Sequence, residues 1–160
     1  MGEVYQVFIN HRRPDTKMNL ASLIYHRLTS CHGLRVFLDQ DEIHTGHTVY
    51  TTIETAINRS SVHIALFSKR YAESRACLNE LCWMMQMQRS SHERKIIPVF
   101  CDVEPRHLKR IDKPPYDVAF LEHQRAVDAG EVEMEVLQGW KSALKDAADI
   151  SGLVFKTDER

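Results

Sequence analysis

The sequence predicts an α/β fold, in which an open, flavodoxin-like sheet of five parallel strands carries helices on both faces. Short apolar runs of strand length alternate with segments whose apolar residues recur at helical spacing, and this alternation occurs five times. Runs such as VHIALF are apolar almost throughout, which is typical of a strand buried on both faces. Right-handed crossovers would then place helices on either side of the sheet.

The predicted strands are short apolar runs separated by polar or glycine-containing segments. VYQVFI is the first, and LRVFL, introduced by Gly33, is the second. VHIALF and KIIPVF follow as the third and fourth, although Pro98 withholds one donor from the ladder of the fourth. GLVF is a short fifth strand. The predicted bounds are 4–9, 34–38, 62–67, 95–100 and 152–155.

Four helices are predicted from apolar residues three and four positions apart, which is the spacing of one helical face. A weaker helix is predicted over VAFLEHQRAV, and a turn-rich loop containing Pro105, Pro114 and Pro115 precedes it. The face-forming positions, in chain order, are Leu20, Leu23, Ile24 and Leu28; Val49, Ile53, Ala56 and Ile57; Leu78, Leu81, Cys82 and Met85; and Leu137, Trp140, Leu144 and Ala147.

With 160 residues the chain is long enough for one domain with its own core, which we assign to residues 1–155, followed by a frayed tail at 156–160. Its 21 basic and 22 acidic residues give a formal net charge of −1, so charge gives no reason to expect nucleic acid or an anionic membrane as the main partner. No apolar run has bilayer-spanning length. Four cysteines inside apolar runs, without a CxxC pair, indicate reduced, buried thiols in a cytoplasmic or nuclear protein.

Several common enzyme signatures are missing from the sequence. It has no GxGxxG after the first strand, no GxxxxGKS or GxxxxGKT, and no GxSxG. Nine histidines are scattered without ligand spacing, so no metal site is predicted. Asp39, Asp41 and Glu42 follow the second strand, but the first strand lacks matching acidic residues directly after it. These three acids therefore indicate a solvated loop rather than a phosphoacceptor pocket.

Glu80 is the only formally charged residue in the segment CLNELCWMMQM, residues 77–87. In a parallel sheet the ligand crevice lies beyond the carboxyl ends of the strands, here at loops 10–16, 39–48, 68–76 and 101–115. Glu80 lies one turn into the helix that follows the third of these loops. Two interpretations follow: a carboxylate that points to solvent, where its charge suits the helix dipole, or a reactive carboxylate that faces the crevice.

Five sequence blocks, in order from Tyr5 to about Leu153, match one family pattern. YQVFINHRRPDTK is similar to an opening strand and loop usually written YDVFLSFRGEDTR, and VFLDQDEIHTG to a second strand followed by a BB loop. SSVHIALFSKRYAESRACLNEL matches a third strand with an SxxCLxEL helix start, while IIPVFCDVEP and WKSALKDAADISG match the fourth strand and the final helix. The chain thus resembles a plant-type TIR (Toll/interleukin-1 receptor) domain. Since no nucleotide-binding or leucine-rich segment follows, it resembles a TIR-only protein or an excised domain.

The resemblance implies an NAD⁺ nucleosidase, which cleaves the nicotinamide–ribose bond and takes NAD⁺ as its substrate, with no cofactor and no metal. It implies that Glu80, the glutamate of the CLxEL motif, is the catalytic residue. The products would be nicotinamide and ADP-ribose, or cyclic and variant forms of ADP-ribose, which signal in plant innate immunity and cell death. The positions implied to bind substrate are Arg12, Arg13, Asp15, Thr16, Gly46 and Cys77.

The resemblance also implies partners, namely other TIR domains through self-association and immune receptors that bind the nucleotide products; nucleic acid is not expected. Departures from the family pattern leave a second interpretation open, a catalytically silent adaptor that acts through TIR–TIR contacts. Arg13 and Pro14 replace the usual Gly-Glu, and Ala76 replaces a common Trp. Leu23 replaces the His of a Ser-His pair through which many plant TIR domains associate.

Overall fold

The computed structural model describes residues 5–12, 20–38, 47–91 and 93–157, except for the side chains of 47–52. Its strands are β1 (Val7–His11), β2 (Val36–Leu38), β3 (Val62–Phe67), β4 (Lys95–Cys101) and β5 (Leu153–Phe155). They form one parallel sheet in the order β2-β1-β3-β4-β5, which confirms the predicted fold class. The helices are α1 (Leu20–His26), α2 (His47–Arg59), α3 (Arg75–Ser90), α4 (Pro105–Lys109), α5 (Asp117–Asp128) and α6 (Met134–Ala148).

The sheet buries apolar side chains on both faces because alternate residues of its central strands point in opposite directions. On one face Phe8, Phe67 and Phe100 pack with the apolar sides of α2, α3 and α6. On the other face Ile9, Leu66 and neighbouring strand residues pack with α1. The face-forming positions predicted for α6 are all buried: Leu137, Trp140, Leu144 and Ala147.

β1 begins and ends later than predicted, and this changes which residues belong to the sheet. The strand starts at Val7, and its parallel pairing with β3 continues to His11, which lies opposite Leu66. Asn10 therefore lies within the strand, opposite Ala65, rather than at the start of the predicted loop. Asn10 is also fully buried, which requires that its polar atoms find hydrogen-bond partners.

α1 differs from the prediction in the side that it buries. Leu23, predicted to lie on the apolar face, is 65% exposed. The face that packs on the sheet contains Leu20, Ala21 and Ile24, and Leu23 lies outside it. Leu20, Ala21 and Ile24 also share one helical face, so spacing alone did not decide between Ala21 and Leu23. One π-helical turn, Arg27–Cys31, follows the helix.

The four cysteines are free thiols, but only three of them are shielded from solvent. Cys77 is buried, while Cys82 and Cys101 are half-buried. Burial raises the pKa of the Cys82 and Cys101 thiols to about 11, so both are protonated near neutral pH. Cys31 is exposed at the end of the π-helical turn, so the prediction of a buried thiol there was wrong.

The segment after β4 contains a short helix, α4, where the sequence predicted an irregular loop. Pro105 occupies the start of this helix, where a missing N–H costs no internal hydrogen bond. The backbone N–H of Glu104 donates to His107 Nδ1 at 2.8 Å and completes a capping box. The loop prediction was wrong because proline favours the first turn of a helix as well as a turn.

β5 lies at the edge of the sheet, and its three residues are exposed. Beyond it, the backbone N–H of Thr157 donates to Asp102 Oδ1 at 2.8 Å, which ties the chain to the end of β4. Residues 158–160 of the predicted tail lie outside the described residues. Among the helices that the structure describes, none combines the length and apolar character needed to cross a bilayer.

Candidate active site

The carboxyl end of β1 meets the first turns of α3, and this junction is where the sequence predicts a ligand crevice. A short 3-10 turn, Tyr71–Glu73, leads into the helix. Ser74 caps α3, since its Oγ accepts a hydrogen bond from the backbone N–H of Cys77 at 3.1 Å. A serine in this position satisfies one of the free N–H groups at a helix start. The cap fixes where α3 begins and therefore which way Glu80 faces.

Glu80 is half-buried and turns toward the end of β1. Asn10 Nδ2 donates to Glu80 Oε1 at 3.1 Å and to the carbonyl oxygen of Cys77 at 3.3 Å. Because Asn10 is fully buried, the carboxylate receives a hydrogen bond from a donor that is shielded from water. The Glu80 side chain therefore does not simply point to solvent, which was one of the two interpretations of the sequence.

Tyr71 fixes the other end of the Asn10 amide. Its hydroxyl donates to Asn10 Oδ1 in a short hydrogen bond and also lies 3.2 Å from the carbonyl oxygen of Cys77. Tyr71 is fully buried, and this burial holds its pKa well above the usual range. The negative charges of ionised Cys77 and Glu80 raise the pKa further, by a smaller amount. The phenol therefore stays protonated and acts as a donor.

Arg12 follows β1 directly and brings a cation to the same edge of the sheet. Only 16% of its side chain is exposed, and its Nη2 lies 4.0 Å from Glu73 Oε1. Arg70 donates to both carboxylate oxygens of Glu73, at 2.8 and 2.9 Å. This pairing, with a smaller contribution from Arg12, lowers the pKa of Glu73. Glu73 therefore remains ionised beside two guanidinium groups.

Cys77 joins α3 to the end of β1 through its thiol as well as through its backbone. It is 5% exposed, and its Sγ donates to the carbonyl oxygen of His11 at 3.2 Å. Its own carbonyl oxygen accepts from Asn10 and lies beside the Tyr71 hydroxyl. These contacts fix the distance between helix and strand, and a role for Cys77 in binding substrate stays a prediction.

The structure brings three of the residues singled out from the sequence to one edge of the sheet: Glu80, Cys77 and Arg12. The other four residues predicted to bind substrate lie outside the described residues: Arg13, Asp15, Thr16 and Gly46. Their contribution to the site therefore remains a prediction from the resemblance.

Two residues of the junction, Asn10 and Tyr71, were not identified from the sequence. Asn10 carried a usable signal, since it is the polar residue that ends the apolar run VFIN at the carboxyl end of a predicted strand. The family pattern YDVFLSFRGEDTR has Ser at the same position, so the substitution was visible as well. Tyr71 carried no such signal, because a buried tyrosine in a loop can be recognised only once its hydroxyl partner is known.

The junction offers negative charge from a half-buried carboxylate and positive charge from a largely buried guanidinium. A carboxylate with restricted solvation stabilises a nearby positive charge more strongly than one in bulk water. A guanidinium binds phosphate oxygens well. Within the part of the chain that the structure describes, no cluster of three or more His, Cys, Asp or Glu side chains could hold a metal ion. The arrangement suits a phosphate-bearing substrate that develops positive charge as it reacts.

Comparison with known sequences connects this junction to one family. A sequence model of the TIR domain matches residues 4–159. The chain is 34% identical over 155 residues to TMV resistance protein N of Nicotiana glutinosa. This match covers 97% of this chain and 13% of that protein. It is also 34% identical over 151 residues to the probable 2′ cyclic ADP-D-ribose synthase BdTIR of Brachypodium distachyon, covering 94% of this chain and 59% of that protein. The chain thus spans less than two thirds of the length of either relative.

A solved structure gives the same result for the fold. The TIR domains of the activated Roq1 resistosome, which directly recognises the pathogen effector XopQ, superpose on this chain with a TM-score of 0.81 at 28% sequence identity. The superposition covers 94% of this chain and 87% of the compared one. The similarity therefore extends over nearly the whole chain.

Proposed function

This chain belongs to the TIR domain family, and from that premise we propose that it is an NAD⁺ nucleosidase that cleaves the bond between nicotinamide and ribose. The observation that carries the proposal is the half-buried carboxylate of Glu80, held by Asn10 at the carboxyl edge of the sheet. The relative named as a probable 2′ cyclic ADP-D-ribose synthase supports it, because ADP-ribose is the part of NAD⁺ that remains when nicotinamide leaves.

The proposed chemistry needs one carboxylate and no general acid. The nicotinamide ring of NAD⁺ is cationic and departs as a neutral base, which leaves positive charge on the ribose. The carboxylate of Glu80 stabilises this oxocarbenium-like sugar, as carboxylates do in glycoside hydrolysis. The oxygen of water, or of a hydroxyl group of the same molecule, then bonds to the sugar carbon and loses its proton to solvent, which gives ADP-ribose or a cyclic form. NAD⁺ is consumed as substrate, so no separate cofactor is required.

Arg12 is the described residue best placed to bind the diphosphate of NAD⁺. Its side chain is largely buried at the carboxyl end of β1, where its Nη2 lies 4.0 Å from Glu73 Oε1. Guanidinium groups bind phosphate oxygens in pairs of hydrogen bonds. Arg13, Asp15, Thr16, Gly46 and Cys77 complete the proposed binding set on the strength of the family resemblance.

The proposed setting is cytoplasmic immune signalling. Three of the relatives are disease resistance proteins by name, one of them putative, and a fourth is named a TMV resistance protein. A comparable structure is that of TIR domains in an activated resistosome. We propose that this chain also works when self-associated with other TIR domains, and that immune receptors bind its nucleotide products. These assignments rest on similarity to proteins that are longer than this chain, which matches only part of their length.

A catalytically silent adaptor is the alternative function. Ala76, in the first turn of α3, is exposed and has no aromatic ring to form a wall of a substrate pocket. An adaptor would need the fold and its contact surfaces but not the Glu80 carboxylate. The two functions therefore differ in what happens when only that carboxylate is removed.

The proposal is tested by measuring nicotinamide released from NAD⁺ by concentrated protein, with crowding agents present, for the wild type and for Glu80→Gln. We expect the variant to lose at least about a hundredfold in rate, because the substitution removes the charge that stabilises the sugar cation. Glu93→Gln is the matched control, since Glu93 is an exposed residue just before β4, at the opposite edge of the sheet. A wild-type protein that releases no nicotinamide would favour the adaptor.

A further inference from the structure

The orientation of the Asn10 amide is determined by its surroundings. Its oxygen faces the Tyr71 hydroxyl, and its nitrogen faces the carbonyl oxygen of Cys77 and the carboxylate of Glu80. If the amide were rotated by half a turn, its oxygen would face two acceptors, the carbonyl oxygen of Cys77 and the carboxylate of Glu80, and neither would receive its hydrogen bond. Such an arrangement would leave buried polar groups unpaired, so only one orientation satisfies every partner.

We propose that Asn10 is the positioning residue for the Glu80 carboxylate, and that Tyr71 holds Asn10 in the orientation this role requires. The inference rests on the proposed function, in which Glu80 is the reactive group. Asn10 acts through Glu80 and is not itself assigned a contact with substrate.

The hydrogen bond from Asn10 can position the Glu80 carboxylate because the residues around Asn10 are rigid. Asn10 lies inside the β1–β3 ladder, and both it and Tyr71 are fully buried. A donor fixed in this way restricts rotation of the carboxyl group to which it is bonded. Catalytic groups need to stay within a fraction of an ångström of their working position, and supporting hydrogen bonds from buried neighbours provide this.

The contact depends on the length of the asparagine side chain and on its two N–H donors, which distinguish it from the serine of the family pattern YDVFLSFRGEDTR. The pattern has Ser at this position, and a serine side chain is shorter and carries a single donor. It cannot reproduce two hydrogen bonds from one nitrogen to the backbone of α3 and to Glu80. We therefore expect Asn10→Ser to weaken the positioning of Glu80.

The first test replaces the donor and keeps the shape. Asn10→Asp retains an acceptor for Tyr71 but removes both donated bonds and places a carboxylate beside Glu80. We expect kcat for nicotinamide release to fall about tenfold while KM changes less than about twofold. Asn79→Asp is the matched control: Asn79 precedes Glu80 in α3, its Oδ1 accepts from Trp140 Nε1 at 2.8 Å, and it is exposed. Equal rates in the two folded variants would overturn the inference.

The second test removes the hydroxyl that orients the amide. Tyr71→Phe leaves Asn10 Oδ1 without its donor, and we expect kcat to fall about threefold to tenfold. Tyr116→Phe is the control, since it deletes another fully buried hydroxyl, one that donates to Ser68 O at 2.6 Å. Solvent exchange of the Asn10 side-chain amide protons, followed by NMR, should accelerate only in Tyr71→Phe. Unchanged exchange and unchanged kcat in that variant would contradict the proposed role of Tyr71.

A third readout separates this inference from the proposed function, because it does not depend on activity. The pKa of the Glu80 carboxyl is followed by its ¹³C chemical shift in wild type, Asn10→Asp and Asn79→Asp. A carboxylate within hydrogen-bond distance raises the pKa of its neighbour, so we expect a rise of about one unit or more in Asn10→Asp alone. If wild type is inactive but this rise occurs, the proposed function fails and the positioning contact stands. If Glu80 titrates identically in all three proteins, the positioning contact is wrong.

Discussion

Individual buried polar side chains decide the chemistry of this molecule. Asn10 and Tyr71 are fully buried, and each has its polar atoms paired within the junction that holds Glu80. Glu80 accepts a bond from a shielded donor and keeps part of its surface accessible. This combination explains how a carboxylate is accommodated in the apolar segment CLNELCWMMQM. The buried amide of Asn10 donates a hydrogen bond to the Glu80 carboxylate and thereby restricts its orientation.

His63 illustrates the opposite case, a buried polar group that is only half satisfied. Its Nε2 lies 2.9 Å from the carbonyl oxygen of Ile57, and its Nδ1 has no partner among the described residues. Burial lowers the pKa of His63 and also that of His123. Because these pKa values are lower in the folded state than in the unfolded state, the unfolded chain binds more protons as the pH falls through about 6.5.

We therefore expect the free energy of unfolding, measured by urea titration, to be lower at pH 5.5 than at pH 7.5. His63→Gln keeps a donor for Ile57 O and removes one titrating group, so it should reduce the difference between the two pH values. His32→Gln, at an exposed position, should leave the difference unchanged. A wild-type protein more stable at the lower pH would contradict this explanation.

At the scale of elements, close contact between β4 and the start of β5 imposes a glycine. A Cβ built on Gly152 would lie 2.2 Å from the carbonyl oxygen of Pro98, closer than atoms can approach. Pro98 lies opposite Ala65 of β3, and pairing with β5 begins only at Val99. The proline therefore occupies the stretch of β4 before its second partner strand begins, and Gly152 lets the chain pass close by.

We expect Gly152→Ala to lower the free energy of unfolding by ~1–3 kcal/mol, because backbone must shift to make room for one methyl group. Gly139→Ala is the control: Gly139 lies inside α6, and its Cβ would meet only Cys82 Sγ at an ordinary 3.9 Å. Alanine in a helix interior should stabilise the protein by about 0.5–1 kcal/mol. Chemical denaturation of the two variants, compared with wild type, measures both values, and equal effects would contradict the steric argument.

Elements with strong local patterns could be predicted from the sequence, and those that depend on distant partners could not. β3 was predicted at its observed bounds, Val62–Phe67, since an apolar run that is buried on both faces is visible in its composition. The end of β1 was not, because the ladder with β3 carries the strand through polar Asn10 and His11. That error hid Asn10, and with it the contact to Glu80.

Within the candidate site, the residues that belong to a family motif could be predicted from the sequence, and the two residues that support Glu80, Asn10 and Tyr71, could not. Glu80 and Cys77 were identified through CLxEL, and Arg12 through the arginine of the family pattern YDVFLSFRGEDTR. Tyr71 belongs to a 3-10 turn that brings its hydroxyl to Asn10 across 61 positions of the chain. A contact between residues so far apart in sequence is set by the packing of α3 on the sheet rather than by local pattern.

At the scale of the whole molecule, the described chain is one TIR fold that aligns almost end to end with the TIR domains of an assembled resistosome. The candidate site lies at the carboxyl end of β1, at the rim of this sheet. We propose that a second copy of this chain completes the site there, so that activity is gained through self-association.

Turnover per protein molecule should accordingly rise with protein concentration. At low concentration monomers predominate and the site is incomplete, so nicotinamide release per molecule is expected to increase at least severalfold over a hundredfold range of concentration, by mass action. Sedimentation of the same samples would relate the increase to the fraction assembled. A turnover number that is independent of concentration would show that a single molecule is sufficient.

We propose that the Glu80 carboxylate stabilises the sugar cation that forms when the nicotinamide–ribose bond of NAD⁺ breaks. The most direct measurement is the initial rate of nicotinamide formation by assembled wild-type protein and by Glu80→Gln at equal concentration, with both shown to be folded. We predict that the wild type turns over many times and that the variant falls to the rate of the uncatalysed reaction. Equal rates in the two proteins would contradict the claim, as would a wild type that forms no nicotinamide.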